Sequence, residues 1–319
     1  MKPAKPVVVF FLKLLVSAGL LTYFLSRVDF ESFIRTFKSA DFSYIALALA
    51  IYFVSQGISA VRWTVLARPL GIRTPFAAMA RYYWIGMFFN LFAPSTVGGD
   101  VSRVYYLVRD EEAQANGRAV ATVHAAMSVL MDRAIGMVVL VWLGAAGILL
   151  FSEYAVPPAV RKVTLLFALA LAVAALLTPL LRRVLPEDGH PLAVKLRLAF
   201  RSYRLQPRAL VEGVLLSLLA HLVQAGMHVV LGRALGIELP FSFCLIVYPL
   251  VGTFAAIPIS VGGLGLREGG YLYLLSVIGI GKETGIAFGL LLFLIVAVNS
   301  LVGGIVFLLQ KSPKPVPAT

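Results

Sequence analysis

The stretch PSTVGGDVSR, residues 94–103, decides the fold because it recurs as PISVGGLGLR at residues 258–267. The copies align without a gap and share the proline, the valine, both glycines and the final arginine. Each copy interrupts an apolar region, 76–107 in the first half and 241–280 in the second. Proline removes a helix donor and paired glycines permit tight turns, so each copy predicts a broken helix. Because broken backbone in lipid must be buried or line a wet cavity, we expect two re-entrant hairpins.

The composition of the chain excludes a soluble domain. Of its 319 residues, 60% are hydrophobic and 13% are charged, whereas soluble domains carry about 25% charged residues. Uninterrupted apolar segments of about 20 residues, enough to cross a bilayer, are 7–26, 43–62, 119–151, 163–181, 209–235 and 285–309. The first is interpreted as a retained span because a signal peptide has a shorter apolar core. The sequence therefore predicts an all-α polytopic membrane protein with about six spanning helices plus the two hairpins.

The charge pattern predicts the topology. The net charge is +13, and the basic residues lie in short loops between apolar segments. The strongly basic loop 182–208 falls on the same side as Lys2 and Lys5 and as Lys311 and Lys314, as the positive-inside rule requires. We therefore expect a multi-pass protein of the cell membrane, inner or plasma, with both termini in the cytoplasm. A nucleic-acid partner is not expected, because no soluble domain offers a contiguous basic surface.

The two copies indicate an inverted repeat. Three predicted spans separate them, an odd number, so the second hairpin should enter from the opposite face. Residues 1–319 then form a single transmembrane domain, with repeat 1 at 43–151, repeat 2 at 209–309, and extra spans at 7–26 and 163–181. Inverted repeats with broken helices are typical of secondary transporters, whose substrate site lies between the repeats. An alternative interpretation of each stretch is a kink in a packed helix, with glycines that let neighbouring helices approach closely. The presence of two matched copies argues against this alternative.

Each copy ends in an arginine that is a candidate phosphate ligand, Arg103 in the first and Arg267 in the second. A guanidinium fork suits phosphate, and freed helix termini hold anions. An arginine within the membrane costs about 2.5–3.5 kcal/mol on insertion scales, so it needs a partner or a purpose. We expect both to bind a lipid phosphate, and snorkelling to the interface is the alternative. The glycines that would shape this binding site are Gly98, Gly99, Gly262 and Gly263.

Four further charged residues are candidates for the same site. Asp100 and Glu268 follow the glycine pairs at near but not equivalent positions. They either couple protons or form salt bridges with the two arginines, and the salt bridge is favoured. Asp132 and Arg133 lie in the middle of a predicted span. Because adjacent residues point about 100° apart on a helix, we expect these two to pair with other helices, in a structural or a functional role.

A polar stripe marks one face of the span 209–235. Its residues, at helical spacing, are Ser217, His221, Gln224 and His228. Such a face must meet other helices or a cavity. Two histidines suggest a metal, but no cysteine or carboxylate on this helix completes a ligand set, so helix–helix hydrogen bonding is favoured. No cofactor is expected.

Several of these residues carry a family resemblance. The matching pieces are Arg62-Trp63, Phe88 through Pro94, Gly98-Gly99-Asp100, Arg103, Asp132-Arg133 with Gly136, and Pro258 through Glu268. With them the chain resembles the lysylphosphatidylglycerol synthase transmembrane-region family, also called flippase-like or UPF0104 proteins, over nearly its whole length. The resemblance implies the membrane domain that, in two-domain relatives, flips aminoacylated phosphatidylglycerol to the outer leaflet.

The resemblance does not imply an enzyme. The two-domain relatives carry an aminoacyl-transferase domain after the membrane region, and this sequence ends at Thr319. No nucleotide-binding or hydrolase motif is present. We therefore expect a flippase or translocase for an anionic phospholipid or a polyprenyl-type lipid phosphate. A separate lipid-modifying enzyme is a possible partner. Two alternatives stay open: an enzyme or accessory subunit of lipid headgroup or lipid-linked sugar transfer, and a small-solute secondary transporter. The headgroup, the energy source and the oligomeric state also stay open.

Overall fold

The chain is helical throughout the part that the structure describes. The computed structural model describes residues 6–26, 29–92, 98–112, 118–184, 201–257, 260 and 263–310, and these contain no strand. The all-α class predicted from the sequence is thereby confirmed. Pro94, Pro258 and Gly262, which the sequence analysis placed in the two breaks, lie outside the described residues.

The described residues form eleven α-helices, α1 to α11 in chain order. The first half holds α1 Pro6–Leu25, α2 Phe30–Lys38, α3 Phe42–Ala67, α4 Phe76–Phe92, α5 Gly98–Glu112 and α6 Arg118–Leu150. The second half holds α7 Pro158–Val184, α8 Pro207–Ala234, α9 Phe241–Ala255, α10 Leu266–Leu275 and α11 Lys282–Leu309. Short 3₁₀ turns extend α3 and α10, at Arg68–Leu70 and Ser276–Ile278.

Five of these helices are long and apolar enough to cross a membrane. They are Phe42–Leu70, Ala121–Leu150, Pro158–Leu177, Pro207–Ala234 and Lys282–Leu309, which correspond to five of the six predicted spans. The remaining segment, 7–26, is helical as α1, and within it Leu14–Phe24 forms a shorter apolar helix. Its assignment as a span stays a prediction.

The two interrupted regions are pairs of shorter helices. In the first half α4 ends at Phe92 and α5 begins at Gly98; in the second α9 ends at Ala255 and α10 begins at Leu266. The helices therefore break at the two proline-and-glycine stretches, as predicted. That each pair enters and leaves the membrane on one face stays a prediction.

The helix packing has an internal symmetry. Helices α3 and α8 form the most extensive pair, and the other principal pairs correspond two by two: α4 on α5 with α9 on α10, α5 on α6 with α10 on α11, and α4 on α11 with α9 on α6. Exchanging α3–α6 for α8–α11 leaves this list unchanged. This correspondence agrees with an internal repeat, in which each helix pair of one half has an equivalent pair in the other. The opposite orientation of the two copies stays a prediction.

Candidate functional site

A polar cavity of about 390 Å³ lies where the two halves meet. Its walls come from α3, α4, α5, α6, α8, α9 and α11. The charged side chains that line it are Arg62, Arg103, Asp132 and Arg133. Four residues of the predicted site therefore line the cavity: Arg103, Asp132, Arg133 and His221.

Asp132 of α6 holds the centre of the charged wall. Its Oδ1 accepts a hydrogen bond from Arg62 Nε at 2.8 Å, and its Oδ2 accepts one from Arg103 Nη2 at 2.9 Å. The three residues are only 2–7% exposed. Both carboxylate oxygens are thus occupied by guanidinium groups from α3 and α5, and the buried triad carries one more positive than negative charge.

A second ion pair lies beside the triad. Arg133 Nε donates to Asp100 Oδ1 at 2.9 Å, and Arg103 Nη1 lies 3.9 Å from the same oxygen. The prediction that Asp132 and Arg133 pair with other helices is confirmed, and so is the salt bridge between Asp100 and Arg103. The Arg133 side chain is half exposed, which leaves it the most accessible of the three guanidinium groups.

Arg103 is held between aromatic rings. Its guanidinium carbon lies 4.0 Å from the centroid of the Trp63 ring and 4.8 Å from that of Tyr83. At these distances the face of each aromatic ring attracts the positive charge. Its Nε is buried and has no hydrogen-bond partner among the described residues. Gly86 makes the space for the side chain, since a Cβ there would lie 2.8 Å from Arg103 Cγ and Cδ. The arginine therefore keeps an unused donor at the cavity.

The polar stripe of α8 packs against the charged cluster, and its His221 lines the cavity. Ser217 Oγ accepts from Arg62 Nη1 at 3.1 Å. His221 Nε2 donates to the Gly136 carbonyl at 3.0 Å, and its Nδ1 lies 2.8 Å from the Tyr248 hydroxyl. The predicted helix–helix hydrogen bonding is confirmed at these positions. Gln224 is half-buried and does not line the cavity; its carbonyl accepts from His228 Nδ1 at 2.7 Å.

The glycines of the first break serve close packing of the hairpin. The Gly99 N–H donates to Asn90 Oδ1 at 3.1 Å, so this donor already has a partner on α4. A Cβ on Gly99 would overlap the Gly86 carbonyl oxygen, which fixes glycine at this crossing. Gly98 begins α5 and is half-buried. Neither glycine lines the cavity.

Three described residues of the second break, Gly263, Arg267 and Glu268, do not line the cavity. Of the two arginines expected to bind phosphate, Arg103 therefore lines the cavity and Arg267 does not. Glu268 is completely buried and accepts the Gly265 N–H through Oε2. The Arg267 N–H donates to the Gly263 carbonyl at 2.9 Å. Glu268 forms no ion pair with any described residue, so the salt bridge predicted between Glu268 and Arg267 is wrong.

An apolar groove of about 380 Å³ adjoins the polar cavity. It lies between α6, α7 and α9, and its walls include Val141, Val163, Phe167, Pro249 and Phe254. Met137 and Ala256 line both the groove and the cavity. A charged compartment and an apolar compartment therefore meet at these two residues.

Several residues of the site are not predicted by the sequence motifs. Arg62 and Trp63 carry only the family resemblance, although an arginine inside an apolar span is itself a signal for a functional site. Gln56 and Tyr83, which bond to each other at 3.2 Å, and Asn90 also line the cavity, and nothing in their spacing marks them. In the part of the chain that the structure describes, no three His, Cys, Asp or Glu side chains converge on a metal position.

Comparison with known proteins identifies the family. Residues 10–303 match the family described as the lysylphosphatidylglycerol synthase TM region. A UPF0104 membrane protein of Pyrococcus horikoshii is 28% identical over 108 residues, which are 34% of this chain and 31% of that protein. The match thus covers less than a third of that relative's length. Both findings confirm the resemblance seen in the sequence motifs, and the chain belongs to the lysylphosphatidylglycerol synthase TM region family.

Proposed function

We propose that the protein is a lipid translocase that holds an anionic headgroup in the polar cavity and an apolar chain in the adjoining groove. Membership of a membrane-domain family related to lipid handling supports this class of substrate. The five long apolar helices support a multi-pass membrane protein, which we place in the cell membrane with cytoplasmic termini.

The charges of the cavity favour an anion. Three arginines and two aspartates form the connected cluster, so one positive charge remains uncompensated. Arg103 Nε offers an unused buried donor, and half-exposed Arg133 offers an accessible fork. Phosphate oxygens suit such donors because a guanidinium binds them in a planar, charge-assisted geometry. The lipid phosphate is therefore the group that we assign to this wall.

The junction at Met137 and Ala256 carries the proposal. A polar cavity that shares two wall residues with an apolar groove matches a molecule with a charged end and a hydrocarbon end. Each compartment falls within the range of about 300–1,000 Å³ of ordinary ligand pockets. A small polar solute would use the cavity and leave the groove without a purpose, so the lipid is favoured over the solute.

The alternative of a lipid-modifying enzyme receives no support from the carboxylates of the cavity. A general base needs a free oxygen within reach of the substrate, and both oxygens of Asp132 are bound by arginines. Asp100 is likewise held by Arg133. We therefore propose a binding and transport role for these residues.

Movement is proposed to follow the symmetry of the packing. The contact of α4 with α11 corresponds to that of α9 with α6, and rocking one repeat against the other would alternately open the two sides of the cavity. The headgroup would cross within the cavity while the chain stays in the groove or in the bilayer.

Reconstitution in liposomes tests the function. Lipids labelled on the headgroup should move between leaflets only in vesicles that contain the protein, and Arg133→Gln should slow this movement at least about tenfold, since a charge-assisted hydrogen bond contributes about 1.5–3 kcal/mol. Arg208→Gln is the matched control, because Arg208 pairs with Glu212 on the exposed surface. Equal rates with and without correctly folded protein, for anionic phospholipids and polyprenyl phosphates alike, would refute the function.

A further inference from the structure

We propose that Glu268 couples lipid movement to protons, by taking up a proton in one conformation and releasing it in another. This inference rests on the proposed function and adds its energy source. Three carboxylates lie at or beside the two proline-and-glycine breaks, Asp100, Asp132 and Glu268, and their surroundings separate them into two kinds.

Asp132 and Asp100 are both bound by arginines. Asp132 accepts from two guanidinium groups at 2.8 and 2.9 Å, and Asp100 accepts from Arg133 at 2.9 Å. Each of these carboxylates therefore already has a cationic partner. The first half of the chain therefore has no free carboxylate in its described break.

Glu268 has the opposite surroundings. It is 0% exposed, and among the described residues its Oε1 has no hydrogen-bond partner and its carboxylate forms no ion pair. An ionised carboxylate buried without a counter-ion is costly, and a proton on Oε1 would remove that charge. The first copy of the repeat has Val104 at the aligned position, so this carboxylate belongs to one half only.

The charged and titratable groups that interact with Glu268 are few. Against it α11 places Gly289, and α1 covers the same turn of α10 through Leu20 and Phe24, which contact Gly265 and Gly269. The groups that interact with it are Arg267, which forms no ion pair with it, and Tyr271, whose hydroxyl is bound to His228 at 2.6 Å. Within the described residues, this list contains no second carboxylate.

The proton has a direct link to the shape of the break. Glu268 Oε2 accepts the Gly265 N–H, and Gly265 and Gly263 have φ angles of +87° and +79°. Ionised, the carboxylate binds this N–H strongly; protonated, it binds it weakly and adds an O–H donor to the break. Loading the proton from one aqueous side and releasing it to the other would thus alternate the conformation of the second hairpin.

A pH gradient across liposomes tests the coupling. In the wild type, reversing the gradient should change the net direction of movement of the headgroup-labelled lipid. Glu268→Gln keeps the size and the acceptor for Gly265 N–H but cannot titrate, so it should lose the response to the gradient while lipid still moves down its own gradient. Glu238→Gln, an exposed position, is the matched control and should respond like the wild type.

The outcomes separate coupling from function. Lipid movement that ignores the gradient in the wild type, or a gradient response that survives in Glu268→Gln, overturns the coupling and leaves the translocase intact. An infrared titration gives a readout that does not need transport: a protonated-carboxyl band should appear on acidification in the wild type and in Glu238→Gln, and be lost in Glu268→Gln. The same band in all three proteins would also overturn the proposal.

Discussion

Arg62 Nε and Asp132 Oδ1 lie 2.8 Å apart although 70 residues separate them in the chain. The contact joins α3 to α6 in the middle of the protein, and Arg62 Nη1 continues to Ser217 of α8. One arginine therefore ties both halves of the repeat together at the wall of the cavity. The predictions below follow from this arrangement and from the junction beside it.

Asp132→Asn should destabilise the protein strongly. The change removes the negative charge that two buried guanidinium groups share, and breaking a buried ion pair costs about 3–5 kcal/mol. Thermal unfolding in detergent should show a large drop in Tm. Glu212→Gln breaks only the exposed pair with Arg208, worth at most about 1 kcal/mol, and should leave Tm nearly unchanged. Equal Tm values for the two variants would show that the triad does not stabilise the fold.

Gly136→Ala should disturb the same triad from another side. A Cβ at this position would lie 3.0 Å from Arg62 Nη1, so the guanidinium must move by a few tenths of an ångström, which disturbs its bonds to Ser217 and Asp132. We expect a loss of about 1–3 kcal/mol, as for other overpacked sites. A Cβ added at Gly226 would meet no atom within 4 Å beyond its own helix backbone, and Gly226→Ala should stabilise α8 by up to about 1 kcal/mol. Chemical or thermal unfolding that ranks the two variants in the opposite order would contradict the geometry.

Gly303→Ala should disrupt the contact between the two repeats. A Cβ on Gly303 of α11 would overlap the Trp84 carbonyl oxygen of α4, and backbone cannot yield as a flexible side chain does. We expect a lower Tm and slower lipid movement in liposomes. Gly57→Ala is the control, because its nearest neighbour would lie 4.0 Å away, at the Trp84 ring. A Gly303→Ala protein with wild-type stability and transport would argue against a tight α4–α11 interface.

Met137→Trp should block transport without unfolding the protein. The indole would fill the junction between cavity and groove, where Met137 lines both. Transport of headgroup-labelled lipid should fall at least about tenfold, a barrier increase of about 1.4 kcal/mol, while Tm stays close to that of the wild type. Leu149→Trp, on the exposed surface of the same helix, should transport normally. Normal transport by the Met137 variant would mean that lipid does not pass the junction.

The helices and the local pairing of charges could be predicted from the sequence because both depend on short-range patterns. The lengths of the apolar segments predicted five of the spans, and the two proline-and-glycine stretches predicted the two breaks. The neighbours Asp132 and Arg133 had to point to different helices because of helical geometry, and the structure shows that they do.

The identity of the partners could not be predicted because it depends on which helices lie side by side. The packing of α3 against α8 and α6 places Arg62 between Asp132 and Ser217, and no periodicity in the sequence encodes that contact. The expected symmetry of Arg103 and Arg267 does not extend to the next position, where Val104 aligns with Glu268. Of these two arginines, Arg103 lines the cavity and Arg267 does not.

Photo-crosslinking with two lipids tests most directly whether one lipid occupies both compartments. One lipid carries the reactive group on its headgroup and the other carries it in its chain, and mass spectrometry locates the label. We predict headgroup labels around Gln56 and His221 and chain labels around Val141 and Pro249, which line the groove and are buried. Labels from both lipids confined to outward-facing residues such as Leu176 and Leu308, which are 78% and 80% exposed, would contradict the account.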